Sequence, residues 1–281
     1  MWKVLGIGAL LGLGTALVTG WAVHRGDVAH AERVWAALDA GRESRPARSD
    51  PFMVADLPPV ARRYFARAIE PGTPLHRVVQ LEMAGTFILN GKALPTQARQ
   101  ILAPPGRGFV WQARMGQGVT RFAGSDGYLR TEGREESWTK FWLAGLVPLA
   151  RIGGGSNHPR AAATRAMAEA LWVPATLLPQ FGATWRQTGP DSAELHFADT
   201  PDLPPLHLTF DPQGDIVEIM TLRWSDANHD KTYRLQPFGG RMLATAVFQG
   251  FRIPVTVELG NLWGTPDYVP FFKATVSSAT Y

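Results

Sequence analysis

The stretch Leu206-His207-Leu208-Thr209-Phe210-Asp211-Pro212-Gln213-Gly214-Asp215-Ile216 decides the fold class of this chain. Its first five residues alternate between apolar and polar side chains, which is the period of a β-strand with one buried face. A turn follows, because Pro212 sets φ at its second position and Gly214 frees its fourth. The segment from Ile216 to Trp224 then returns, so the sequence predicts two antiparallel strands joined by a short turn.

The same two-residue period recurs from Val78 onward. Further predicted strands include Thr96–Leu102, Phe109–Met115, Arg241–Phe248, Pro254–Leu259 and Phe271–Thr280. The apolar run Phe141–Ile152 is compatible with either a helix or a buried segment. About ten strands without a long linker favour one sheet, and a sheet of that size has to curl. We therefore expect a mainly β (α+β) protein: a single curved antiparallel sheet or half-barrel with a central plug helix, preceded by an N-terminal transmembrane helix.

The plug helix is predicted from Arg165-Ala166-Met167-Ala168-Glu169-Ala170-Leu171-Trp172-Val173-Pro174, and it is expected to end at the proline. Arg165 and Glu169 are four residues apart and therefore share one face, which Trp172 joins one turn later. Two interpretations of this face are open. Arg165 and Glu169 either bind the polar end of a ligand while Trp172 stacks on its body, or form a buried ion pair that fixes the helix on the sheet.

The N-terminal segment Val4–Val23 is almost entirely apolar and, as a helix, is long enough to cross a bilayer. A cleaved signal peptide is the alternative, with Ala29-His30-Ala31 as its cleavage site. We predict a single-pass anchor in the inner (cytoplasmic) membrane, with the body facing the periplasm or the exterior. The chain is then divided into an anchor or signal segment at 1–25, a short helix and linker at 26–56, and a β half-barrel domain at 57–281.

Composition excludes several classes of protein. The 281 residues contain no cysteine, so the chain has no disulfide, thiolate zinc site or cysteine nucleophile. The net charge of +4 is spread along the chain without a basic cluster, which argues against nucleic acid as a partner. The seven histidines lack metal-ligand spacing. No nucleophile elbow, phosphate loop or dinucleotide fingerprint is present, so we predict no catalytic residues, no metal and no cofactor.

The remaining candidate ligand-binding residues are tryptophans and strand arginines. Trp111, Trp172 and Trp224 are expected to line an apolar cavity, although core packing is the alternative. Arg114 and Arg223 are expected to meet an anionic head group if they point into that cavity, although each could instead pair with a carboxylate or reach outward to solvent. Asp126 in Ser125-Asp126-Gly127 is interpreted as a turn residue.

Six short motifs in a fixed order resemble an uncharacterised bacterial family known as a domain of unknown function. They are Leu57-Pro58-x-x-x-Arg62-Arg63-Tyr64, Ala98-x-Gln100, Phe109-Val110-Trp111-x-Ala113-Arg114, Arg165-x-x-x-Glu169-x-x-Trp172-x-Pro174-x-x-Leu177-Leu178-Pro179, Pro237-Phe238-Gly239-Gly240 and Arg252-Ile253-Pro254. The resemblance runs from about Asp50 to the C-terminus. It implies no activity, and its arrangement of strands around a plug is similar to the half-barrels of periplasmic lipoprotein carriers.

Three functional hypotheses follow. The first is a membrane-anchored exported binding protein that holds a lipid or another hydrophobic molecule on the concave face of the sheet. The second is a hydrolase or isomerase acting on a hydrophobic substrate, with Glu169 or Asp126 as general base. The third is a structural protein of the envelope that uses its outer face as an interface. Protein partners are not predicted. An open apolar lumen would favour the first hypothesis, an unpaired carboxylate the second, and a packed lumen the third.

Overall fold

A single antiparallel sheet dominates the computed structural model, in which the backbone of residues 2–281 and the side chains of residues 14, 15 and 17–281 are described. Within this described part of the chain the sheet has thirteen strands. They are β1 (Val79–Leu89), β2 (Lys92–Ala103), β3 (Gly108–Met115), β4 (Phe122–Thr131), β5 (Arg134–Leu143), β6 (Val147–Gly153), β7 (Ala183–Gly189), β8 (Ser192–Phe197), β9 (Leu206–Phe210), β10 (Ile216–Ser225), β11 (Arg234–Phe248), β12 (Phe251–Asn261) and β13 (Val269–Thr280). The predicted mainly β, antiparallel architecture is thus confirmed.

The sheet consists of two meanders joined side by side. Its strand order is β6-β5-β4-β3-β2-β1-β13-β12-β11-β10-β9-β8-β7. Neighbours in the sheet are also neighbours in sequence except at the centre, where β1 pairs with β13. There Leu81 lies opposite Ala279 and Met83 opposite Val276, on either side of a β-bulge. This seam is the place where the two halves of the molecule become one sheet.

The sheet curls around one helix, α3 (Asn157–Ala168), which lies in the connection between β6 and β7. The helix contacts both β5 and β10, although seven strands separate these two in the sheet. In a flat sheet the two strands would be about 38 Å apart, from eight spacings of about 4.8 Å. A helix with its side chains is only about 10–12 Å wide. The sheet must therefore be strongly curved, with α3 on its concave face.

The predicted plug helix differs from the observed one at both ends. α3 begins earlier, at Asn157, and its α-helical part ends at Ala168. Residues Glu169–Trp172 and Pro174–Leu177 are 3-10 helices. The break at Val173 has a steric cause, because a residue that precedes a proline is pushed out of the α-helical region. Val173 indeed has φ −129° and ψ 72°.

Strand alternation divides the side chains between two cores. In β3 Phe109, Trp111 and Ala113 belong to the core on the concave face. Val110 belongs to a smaller core on the opposite, convex face. The concave core is extended by α2 (Pro59–Ala68), whose Val60, Tyr64 and Phe65 are buried.

The convex face is covered in part by a long helix, α1 (Trp2–Asp39). Val34 and Leu38 of α1 are buried against Val110 and Trp138 of the sheet. The short helix predicted at the start of segment 26–56 is therefore the C-terminal part of a longer element that runs without interruption through residues 25 and 26.

The predicted membrane anchor is only partly covered by the described residues. In that part of the chain, no helix has both the length and the apolar character needed to span a bilayer. The side chains of Val4–Leu13, which make up half of the predicted span Val4–Val23, lie outside the described residues. The anchor therefore stays a prediction.

Two local predictions are corrected by the sheet. The run Phe141–Ile152 is neither a helix nor one buried segment, because it contains the end of β5, a turn and most of β6. The predicted turn around Asp126 is the middle of β4. Gly127, which suggested a turn, and the nearby Gly124 are needed for close packing instead. A Cβ added at Gly127 would lie 2.3 Å from the Trp138 ring, and one added at Gly124 would lie 2.0 Å from the backbone oxygen of Lys140.

Asp27 fastens α1 to the convex face. Its Oδ2 accepts hydrogen bonds from Trp142 Nε1 at 3.1 Å and Arg151 Nε at 2.9 Å. Its Oδ1 lies 3.0 Å from Lys140 Nζ. Burial of Asp27 opposes ionisation, but the hydrogen bonds from Arg151 and Lys140 outweigh it and hold the pKa of this carboxyl below its ordinary value. A carboxyl with a lowered folded-state pKa stabilises the fold above its unfolded-state pKa, and the stabilisation is lost as the pH falls.

Asp27→Asn should therefore lower the free energy of unfolding by about 1–3 kcal/mol at neutral pH. This difference from the wild type should begin to shrink as the pH falls below about 4, where the aspartate of the unfolded chain becomes protonated, and should vanish as the pH passes the lower pKa of Asp27 in the folded protein. Urea denaturation at the two pH values, with hydrogen exchange of the α1 amides, measures both effects. The matched control is Glu32→Gln on the same helix, whose ion pair with Arg99 is exposed and should contribute less than about 1 kcal/mol. An equal loss in both variants would contradict the assignment.

Candidate functional site

A cavity of about 560 Å³ lies between the concave face of the sheet and the end of α3. This volume is within the range of small-molecule sites. Most of its wall is apolar, and the larger contributors are Phe87, Trp111, Phe141, Trp172, Phe271 and Phe272. Leu149 and Ile152 of β6 line the cavity and are 52% and 58% exposed, and Leu89 at the end of β1 lines it and is 45% exposed, so the cavity opens to solvent beside β6 and the end of β1.

One side of the cavity carries a cluster of charged groups around Arg165. The Arg165 Nε donates to Glu169 Oε1 at 2.7 Å, which is the pairing expected from their spacing of four residues. Its Nη1 donates to Asp126 Oδ2. The guanidinium also lies over the Phe109 ring, 4.3 Å from the ring centre. Arg165 therefore connects the end of α3 to strands β3 and β4.

Both carboxylates of this cluster have a second partner. Glu169 Oε2 accepts a hydrogen bond from Gln100 Nε2 at 2.6 Å, and Asp126 Oδ1 accepts one from Thr139 Oγ1 at 2.8 Å. Each carboxylate is thus held by Arg165 on one oxygen and by a second side-chain donor on the other. Although burial of Arg165 opposes it, Glu169 and Asp126 raise the pKa of Arg165 above its ordinary value. Arg165 is accordingly a cation held between the two carboxyl groups.

Arg223 of β10 is a second guanidinium on the cavity wall. Its Nε donates to the Ala161 backbone oxygen at 3.2 Å, and it lies 5.1 Å from the centre of the Phe238 ring. Among the described residues, no carboxylate lies within ion-pair distance of it. Burial, and next the nearby charge of Arg165, lower the pKa of Arg223 to about 10. It is still a cation at neutral pH.

Five of the seven candidate residues meet at the cavity and two do not. Trp111, Arg165, Glu169, Trp172 and Arg223 all line it. Arg114 lies on the opposite face, beside α1, because it alternates with Trp111 and Ala113 along β3. Trp224 lies outside the cavity, where its Nε1 donates to Asn157 Oδ1 at 2.8 Å and its ring stacks on Tyr233.

Sequence reasoning missed two polar members of the site. Gln100 was part of a family motif but was given no role, and its side chain is buried against Glu169. Asp126 was interpreted as a turn residue although it contacts Arg165. A signal for Gln100 was present in the sequence. It lies inside the predicted strand Thr96–Leu102, where it shares a face with the apolar residues Ala98 and Leu102 and is the polar residue between them.

Fold and site together define an α+β protein whose single curved antiparallel sheet encloses an apolar cavity with a charged wall. Residues 48–274 match the model of a family of unknown function, DUF6544. The chain therefore belongs to this family, and the family relationship predicted from the six motifs is confirmed. No curated protein matches the chain.

Three solved structures share parts of this fold. A domain from Vibrio parahaemolyticus assigned to outer membrane lipoprotein sorting is 10% identical and aligns over 72% of this chain and 84% of that chain, with a TM-score of 0.38. A DUF1329 family protein from Desulfovibrio piger is 11% identical over 73% and 85%, with a TM-score of 0.42. A LolA superfamily protein from Nitrosomonas europaea is 10% identical over 72% and 84%, with a TM-score of 0.37. The predicted similarity to lipoprotein-carrier domains is found, but similarity of this extent does not assign a ligand.

Proposed function

We propose that this protein is a binding protein for a lipid or another hydrophobic molecule, which it holds in the cavity on the concave face of the sheet. The observation that carries the proposal is the cavity itself. Its volume of about 560 Å³ and its aromatic walls fit an apolar ligand of small-molecule size. A protein with only a structural role would be expected to fill this space with side chains, since interiors are normally close-packed.

The charged cluster supports binding in preference to catalysis. Arg165, Glu169 and Asp126 satisfy one another and present a rigid polar wall beside the apolar one. A rigid wall of this kind orients an amphipathic ligand without chemical change. The hydrolase or isomerase hypothesis needs a free carboxylate in the cavity, and nothing in the geometry of Glu169 or Asp126 favours it.

We also propose the cellular placement that the N-terminal sequence predicts. In this proposal Val4–Val23 anchors the chain in the inner membrane and the body faces the periplasm or the exterior. The division at residues 25 and 56 belongs to the same proposal. Its support is the apolar sequence of the segment and the continuity of α1 from that segment to the sheet.

A bulky side chain placed at the opening of the cavity should weaken ligand binding. Ala150 of β6 lines the cavity next to its opening, so Ala150→Trp should occupy the entrance and lower the affinity for a neutral apolar probe by at least about tenfold. The probe is oleyl alcohol. Delipidated full-length protein in detergent micelles would be titrated with it, and native mass spectrometry would count the molecules bound per chain.

The matched control is Val147→Trp, on the same strand but outside the cavity lining, where Val147 is already 52% exposed. This variant should bind oleyl alcohol within about twofold of the wild type, because Val147 is not among the residues that line the cavity and its side chain lies at the exposed edge of the sheet. The control also accounts for probe that binds to the micelle or to the N-terminal segment. The absence of saturable binding in the wild type, or equal binding in the two variants, would contradict the proposed function.

A further inference from the structure

The polar groups of the cavity wall differ in how well they are paired. The positive charge of Arg165 is met by Asp126 and Glu169, and both carboxylates accept further hydrogen bonds. The positive charge of Arg223 has no such partner in the described part of the chain. Two cations and two anions make the cluster neutral in total, but its charges are not evenly placed. The side at Arg223 is electropositive.

Arg223 has donors left over. A guanidinium carries five N–H groups. In the described part of the chain one nitrogen, Nε, donates to a protein acceptor, the Ala161 backbone oxygen. Its terminal nitrogens Nη1 and Nη2 make no hydrogen bond to a described residue, and Arg223 lines the cavity. A guanidinium edge with free donors has the geometry that binds a carboxylate with two parallel hydrogen bonds.

A second donor without a partner belongs to a residue that lines the cavity, although the donor atom itself is closed off from the cavity space. Trp111 is 4% exposed, its ring lines the cavity, and its Nε1 has no hydrogen-bond partner among the described residues. Buried N–H groups are rarely left without an acceptor in folded proteins. The carboxylates on this wall are already engaged with Arg165, Gln100 and Thr139. The terminal nitrogens of Arg223 are thus unused donors on a wall that lacks a free carboxylate among the described residues, so an acceptor for them has to come from the ligand.

We propose that the ligand is an amphiphile with a single carboxylate head and one apolar tail, and that the carboxylate binds the terminal nitrogens of Arg223. The inference rests on the proposed function, because it places the tail in the same cavity. The tail would lie along the aromatic walls that include Phe272. A doubly charged phosphate head fits less well, because it would bring a second negative charge close to Asp126 and Glu169. Burial and the charge of Arg165, which lower the pKa of Arg223, also mean that an added anion would be favourable there.

The test compares probes that share one tail and differ in the head. Full-length protein in micelles would be titrated with oleate, oleyl alcohol and oleyl phosphate at mildly alkaline pH, with bound molecules counted by native mass spectrometry. The wild type should bind oleate at least about tenfold more tightly than oleyl alcohol, as expected for charge-assisted hydrogen bonds, and oleyl phosphate no more tightly than oleate. Arg223→Gln should reduce the preference for oleate to about twofold or less while oleyl alcohol still binds.

Two further variants keep the test decisive. Arg223→Lys retains the charge without the paired donors and should keep only part of the preference. Arg114→Gln removes an arginine from the opposite face and should leave it unchanged. Equal binding of oleate and oleyl alcohol by the wild type would overturn the carboxylate inference and leave the proposed function standing. Binding of oleyl phosphate more tightly than oleate would have the same two consequences. Failure to bind any of the three would reject both. If Arg223→Gln does not fold, the wild-type comparison and Arg223→Lys decide the question.

Discussion

Arg165→Met should lower the free energy of unfolding by about 3–5 kcal/mol, because it leaves two largely buried carboxylates without their common cation. The side chains of Glu169 and Asp126 are 11% and 21% exposed, so water can replace the guanidinium only in part. Urea denaturation followed by circular dichroism measures the change. The loss should exceed that of any other single charge change discussed above, because Arg165 serves both carboxylates.

A combined variant separates the ion pairs from packing. Arg165→Met with Asp126→Asn and Glu169→Gln removes all three charges but keeps side chains of similar shape, so at least half of the lost stability should return. The control is Arg234→Met, whose ion pair with Asp230 is exposed on both sides and should contribute less than about 1 kcal/mol. A loss below 1 kcal/mol in Arg165→Met would mean that water reaches these carboxylates freely and that the cluster does not fasten α3.

Trp172→Ala is expected to have an effect of similar size, about 3–5 kcal/mol, for a different reason. Its side chain is 1% exposed, and its Nε1 donates to the Pro254 backbone oxygen at 2.8 Å. Its own backbone oxygen accepts a hydrogen bond from the Tyr281 hydroxyl at 2.7 Å. Truncation would leave a void between the 3-10 segment and β12. The Pro254 backbone oxygen beside that void would have lost the hydrogen bond from the indole.

Two variants distinguish lost volume from the lost hydrogen bond. Trp172→Phe keeps most of the ring and should cost about 1–3 kcal/mol, which is the range for one unsatisfied buried group. Trp224→Ala, at a partly exposed tryptophan outside the cavity, should cost clearly less than Trp172→Ala. Chemical denaturation of the three variants orders them. A larger effect at Trp224 than at Trp172 would show that the 3-10 segment is not part of the rigid core.

The sequence-based predictions succeeded where a signal was local. The alternation at Leu206–Phe210 corresponds directly to β9, and the spacing of Arg165 and Glu169 corresponds to an ion pair. These features depend on residues a few positions apart, so a period of two or of 3.6 determines them. The cavity was also predicted, because an apolar lumen follows from a long curled sheet with a helix on one face.

The failures concern contacts made between distant parts of the chain. Asp126 meets Arg165 only because β4 and β5 place Asp126 opposite Thr139, next to the end of α3. No local pattern contains that register. The edge strand β6 was not predicted, because its two faces border the cavity opening and α1, and these surroundings favour apolar or mixed side chains. An apolar run of this kind does not distinguish a strand from a helix.

The central seam has a consequence for the synthesis of this protein. Gln80 pairs with Thr280, so the middle of the sheet joins residues that are 200 positions apart in the chain. At translation speeds of about 5–20 residues per second, β1 waits on the order of ten seconds or more for β13. During that interval the nascent chain presents an open strand edge that other chains can pair with. Because β13 also supplies Phe271 and Phe272 to the cavity wall, no intermediate on the ribosome has a complete pocket. The ligand can therefore bind only after β13 has been synthesised and has joined the sheet. Because pairing between such distant strands is slow, the formation of this seam is the step at which folding competes with aggregation.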